Sequence, residues 1–159
     1  MNQIASKGQL RMSLLRWILF VVPITVLLGF AFSQFANSGE ENRWFQALTK
    51  PDAQPPGPVF GAAWALLYVM MGTAFAMVLH ARGAPLRGPA IILYLVQYAL
   101  NLFWPVLFFG MHQVGAAFWL LVIIFLLALG TTLAVLNKQI EWLNPGAETL
   151  VVPAARTQI

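Results

Sequence analysis

This sequence predicts an all-α fold, a polytopic bundle of membrane-spanning helices, and three observations carry the prediction. Of its 159 residues, 60% are hydrophobic and 9% are charged, with a mean hydropathy of +0.75. Soluble domains carry about 25% charged residues. Four uncharged runs, at residues 17–36, 59–79, 89–110 and 114–136, each cover the roughly 20 residues that a ~30 Å hydrocarbon core requires. Cysteine is absent, which removes disulfides, thiol catalysis and thiolate metal sites. The chain therefore reads as one transmembrane domain over 1–159, with the lipid bilayer as its first partner.

Residues 1–16 read as a short basic arm ahead of the first span. The arm and the apolar run behind it have the layout of a signal peptide, but the run is long for one and no A-x-A site follows Ser33. An uncleaved first span is the expectation. Pro23 interrupts that span and frees the carbonyl of Leu19, which predicts a mild kink.

Loop one, residues 37–58, is the longest connection. Its NRWFQAL stretch suits a short interfacial helix anchored by Trp44 and Phe45. Pro51, Pro55, Pro56 and Pro58 then forbid helix and favour a stiff, extended segment. Such a loop at the mouth of a bundle serves equally as a lid or as a rigid connector.

The second span presents Phe60, Trp64, Tyr68, Met71 and Phe75 at helical spacing. Gly61, Ala65, Gly72 and Ala76 give it small-xxx-small spacings for close helix approach. The third span carries Tyr94, Gln97, Asn101, Trp104 and Phe108 within an arc of roughly 80° at 100° per residue. A carboxamide in hydrocarbon must find a partner or cost about 1–2 kcal/mol. The stripe therefore reads either as interhelical hydrogen bonding or as the wall of a polar-lined pocket. Pro105 adds an acceptor by freeing the carbonyl of Asn101. The fourth span has no polar wall, since Thr131 and Thr132 can bond back to their own helix.

The net charge of +4 is distributed by topology. Lys7, Arg11, Arg16, Arg82, Arg87, Lys138 and Arg156 fall on one predicted side, and Arg43 and Lys50 on the other. The positive-inside rule then places both termini in the cytoplasm, and no nucleic-acid footprint is seen. No span contains Asp, Glu, Lys, Arg or His, which argues against an ion-driven transporter. His80 and His112 sit at opposite span ends and make no metal pair, so no metal site is expected. Catalytic triads, Walker loops and dinucleotide fingerprints are absent from the sequence. What remains is a cavity of aromatics with a few neutral polar groups, suited to a flat, largely apolar ligand.

Three motifs lie in one order along the chain. They are W-F-x-x-L-x-K-P from Trp44, P-P-x-x-V-F-x-x-x-W-x-x-x-Y from Pro55, and Y-x-x-Q-x-x-x-N-x-x-W-x-x-x-F-F-G from Tyr94. On these residues the chain resembles the translocator protein family, which includes the tryptophan-rich sensory proteins of bacteria and the peripheral benzodiazepine receptor. The resemblance implies a five-helix membrane bundle, commonly a homodimer, here in a bacterial cell membrane. It implies a pocket for porphyrin or, in eukaryotic members, sterol-like ligands, with no required cofactor. Phe60, Trp64, Tyr68, Gln97, Asn101, Trp104 and Phe108 would line the pocket. Trp44, Lys50, Pro51, Pro55 and Pro56 would belong to a covering loop. The implied role is sensory or stress-related, and light-dependent porphyrin degradation is the enzymatic alternative. Two departures stand out. Ala53 occupies a place where the family usually has an aromatic. After LVVP at 150–153 the chain reads AARTQI, where the family's fifth helix would run; a truncated, non-functional bundle is a third reading.

Overall fold

The computed structural model describes residues 7–82, 84 and 86–143, with side chains over 8–132 of that range. The expected fifth-helix start at 150–153 lies outside the described residues. Five α-helices follow in order: α1 (Lys7–Phe35), α2 (Arg43–Ala47), α3 (Gly57–His80), α4 (Arg87–Pro105) and α5 (Val114–Leu143), with a π-helical turn (Val106–Gly110) directly after α4. Four of them meet the length and hydropathy needed to cross a membrane. The chain is an integral, multi-pass membrane protein.

Helix α1 begins at Lys7, ten residues before the expected first span. The basic arm read as lying ahead of the first span is helical from there on. Hydropathy marks only the part of a helix that lipid must cover, whereas backbone hydrogen bonding continues into the interface. The same reason carries α5 to Leu143, past the apolar run that ends at 136. Pro23 lies inside α1 without ending it. At the far end of α1, Asn37 adopts the left-handed conformation (φ 50°). The Asn37 N–H reaches the Gln34 carbonyl and the Ser38 N–H reaches that of Ser33, both at 2.9 Å. This is the Schellman arrangement that closes a helix C-terminus.

Loop one does contain the expected interfacial helix. Asn42 caps it, accepting from the Phe45 N–H at 3.0 Å. The other side of this 5%-exposed carboxamide donates to the Asn37 carbonyl at 3.0 Å and to that of Phe109 at 3.4 Å. A single side chain thus ties the loop to the ends of both α1 and the π-helical turn. Pro56 stands at the N-cap of α3 and provides no capping hydrogen bond. The carboxylate of Glu40 takes that role, accepting from the Gly57 N–H at 2.7 Å. An anion is favoured at this positive helix end.

The closest seam runs between α1 and α3. Gly72 faces α1 so closely that a Cβ there would stand 3.0 Å from the Val22 Cα. Ala76, one turn on, is fully buried. Of the four small residues read as an approach stripe, these two serve packing. Ala65 and Gly61 border open space instead. Beside the seam, the Tyr98 hydroxyl donates to the Thr25 carbonyl at 2.6 Å, and Thr25 bonds back to Val21. Tyr94 lies flat on Phe75, with ring centroids 4.0 Å apart. Large apolar side chains such as Leu19, Leu27, Ile92 and Phe125 face outward, as lipid contact requires.

Candidate functional site

Above this packed half the bundle opens. A narrow slot of about 80 Å³ runs between α1, α3 and α4. Gly29 and Ser33 form its α1 wall, Phe60, Trp64 and Tyr68 its α3 wall, and Trp104 and Phe109 the third side. A larger chamber of about 430 Å³ lies over it, roofed by Ser38, Gly39, Glu40, Phe45, Gln54 and Pro55 of loop one. Slot and chamber share Ser33, Ser38, Phe60, Gly61, Trp104 and Phe109 as walls.

The aromatic walls are built ring against ring. Trp64 and Trp104 stack across the α3–α4 gap at 6.0 Å. Trp104 stacks in turn on Phe108 at 5.1 Å, and Phe60 meets Trp64 edge-on at 6.1 Å. The Trp104 indole is fixed from behind, its N–H donating to the Ala117 carbonyl of α5 at 3.1 Å. That N–H is therefore used inside the bundle and is not offered to the cavity. Gly29 lets the α1 backbone lie directly against Tyr68: a Cβ there would enter the Tyr68 ring.

Polar groups at the cavity are few. Ser38 Oγ, at the junction of slot and chamber, is buried with no hydrogen-bond partner among the described residues. Glu40 borders the chamber with its carboxylate already engaged at the start of α3. The roof is held down by rings. Trp44 meets Phe108 edge-on at 5.4 Å and stacks on His112 at 4.4 Å. The Lys50 ammonium sits 4.2 Å above the Phe45 ring.

The TspO/MBR family model matches residues 20–155. The chain belongs to the TspO/MBR family. It is 38% identical over 108 residues to the translocator protein of Homo sapiens, an alignment covering 66% of this chain and 63% of that protein. It is 32% identical over 105 residues to Protein CrtK of Rhodobacter capsulatus, covering 64% of this chain and 62% of that one. With the tryptophan-rich sensory protein of Cereibacter sphaeroides it shares 33% over 90 residues, covering 57% and 55% respectively. The chain thus spans somewhat under two thirds of the length of these relatives. No solved structure matches it.

Within this TspO/MBR chain, the structure brings Phe60, Trp64, Tyr68 and Trp104 together on the cavity, with Phe108 on the chamber wall. Gln97 and Asn101 border neither space. Asn101 is 7% exposed and its Oδ1 has no partner among the described residues. Gln97 is half-buried. Of the loop residues, Pro55 lines the chamber, while Trp44 and Lys50 clamp the roof from outside. Pro51 is exposed, its carbonyl accepting from Gln54 at 3.0 Å, and Pro56 begins α3.

Sequence reasoning missed the α1 wall and Asn42. Gly29 and Ser33 are a small-xxx-small pair in plain view, and that spacing is the cue that identifies them. Asn42 had only its place before an aromatic pair to mark it.

Proposed function

We propose that this protein binds a flat, largely apolar ligand of the porphyrin class in the slot and chamber, in a sensory or stress-related role. The observation that carries the reading is the continuous run of aromatic rings, Trp64 on the slot, Phe60 and Trp104 on both spaces and Phe108 on the chamber of about 430 Å³. Ligand pockets typically occupy ~300–1,000 Å³ with apolar, aromatic walls and a few polar points. Ser38 Oγ is such a point, placed to meet a polar group on the ligand's edge. The names of the relatives agree with a sensory or translocator role and go no further. By the basic bias of one end, the α3–α4 turn faces the cytoplasm and loop one faces outward. The membrane is that of a bacterial cell.

Quenching of tryptophan fluorescence by protoporphyrin IX tests the location. Trp64→Leu removes one stacking face while leaving the Trp104–Ala117 bond in place, and should weaken binding about five- to tenfold. Trp119 on α5, 64% exposed and off the cavity, is the control. Equal affinity in wild type and Trp64→Leu removes the ligand from this cavity. Illumination of the complex separates binding from degradation: loss of porphyrin absorbance faster with protein than without it would make the protein an enzyme.

A further inference from the structure

A third cavity, of about 320 Å³, lies at the opposite end of the bundle and belongs to no part of the aromatic slot and chamber. Ser13, Arg16, Trp17 and Phe20 of α1 line it, together with Arg82 just beyond α3. Two guanidinium groups face one space with no carboxylate on its walls among the described residues. Neither forms an ion pair or side-chain hydrogen bond among the described residues. Arg87 nearby is different, because it donates to the Leu79 carbonyl at 3.1 Å.

The depth of the cavity identifies what it meets. From Arg16 to Phe35, the last residue of α1, there are nineteen residue steps. At 1.5 Å each they span about 30 Å, the thickness of a hydrocarbon core. Arg82 follows the 24-residue α3 by two positions. Both arginines therefore stand where lipid phosphates lie. Below them Phe20 is 64% exposed toward the chains, and Trp17 is half-buried at the level that indoles prefer in a bilayer.

We propose that this cavity binds the headgroup of an anionic phospholipid, its phosphate held between Arg16 and Arg82 and one acyl chain lying along Phe20. Planar guanidinium forks match phosphate oxygens two at a time. Ser13 adds a hydroxyl. The two guanidiniums give the walls a net positive charge, and no described lining residue offers a carboxylate to a headgroup ammonium, so a net negative lipid is favoured over a zwitterionic one.

The test is native mass spectrometry of the full chain released from mixed micelles, titrated with phosphatidylglycerol or phosphatidylcholine of identical acyl chains. Phosphatidylglycerol should be retained preferentially. Arg16→Gln and Arg82→Gln should each lower its affinity about fivefold, the scale of one basic side chain at an anionic surface. Arg16→Lys keeps the charge and loses the fork, and should fall between. Arg11→Gln, exposed on α1 and off the cavity walls, should change nothing. Equal retention of the two lipids overturns the proposal. So does an Arg11→Gln loss equal to that of Arg16→Gln, which would mean diffuse attraction. Displacement of the lipid by millimolar inorganic phosphate would make this a site for soluble anions and overturn the lipid assignment as well.

Discussion

The two halves of the α1–α3–α4 bundle use similar side chains to opposite ends. In the half that contains Gly72, aromatic residues fill space. Tyr94 lies flat on Phe75, Tyr98 bonds to the Thr25 carbonyl, and Gly72 lets the α1 backbone come within contact of α3. In the half under loop one, Phe60, Trp64 and Trp104 stand about 6 Å apart around open volume, beside Gly61, where a Cβ would meet nothing. The lesson is that aromatic content does not make a cavity. What decides is whether the small residues of α3 face a backbone, as Gly72 faces Val22, or face a gap, as Gly61 does.

Gly72→Leu should have the largest effect. Its side chain would collide with the Val22 backbone, which cannot swing aside as a flexible side chain can. The expected cost is at the upper end of the ~1–3 kcal/mol typical of overpacking, seen as a lower melting temperature in detergent. Gly61→Leu should leave melting almost unchanged and lower ligand affinity by filling the chamber wall. If the two substitutions destabilise equally, the halves do not differ as described.

Tyr98→Phe is the next in size. It removes the hydroxyl bonded to Thr25 while keeping the ring, and interhelical hydrogen bonds in membranes average about 0.6 kcal/mol with a ceiling near 1.7. Melting should fall modestly and porphyrin quenching should stay as in wild type, since Tyr98 is off the cavity walls. A fall in affinity larger than the fall in stability would couple the halves. The smallest effect belongs to Ser38→Ala. Removing an orphaned hydroxyl should leave the free protein's stability unchanged or slightly raised. Ligand affinity should drop about fivefold if the hydroxyl meets a ligand group. Unchanged affinity would take that contact away.

The spans were legible because lipid imposes them: a helix crossing hydrocarbon must be apolar along its whole length, and four such runs stand out. The stripe of Phe60, Trp64 and Tyr68 was legible for the same geometric reason, a constant 100° per residue. That constancy also misled. Gln97, Asn101 and Trp104 all lie on α4 ahead of the π-helical turn and share its face, but angular position says nothing of depth: the amides sit about one to two turns further from loop one, level with the packed Tyr98 and Leu102. Trp104 and Phe108 reach the cavity, and the amides border neither slot nor chamber. Asn42 escaped notice because its role depends on Phe109, a residue 67 positions away brought close only by the fold.

That wider turn has a consequence for how the chain can change length. Between Val106 and Met111 the backbone bond spans five residues, at 2.9 Å, where an α-helix would span four. Phe108 and Phe109 can thereby both address loop one, meeting Trp44 and Phe45 from the same segment. Losing one residue here would tighten the turn and swing α5 by about 100° relative to Trp104. The tryptophan could then keep its stack on Trp64 or its bond to Ala117, but not both. The segment works like a vernier, in which a single-step deletion misaligns the scale and only a change by about a full turn restores it.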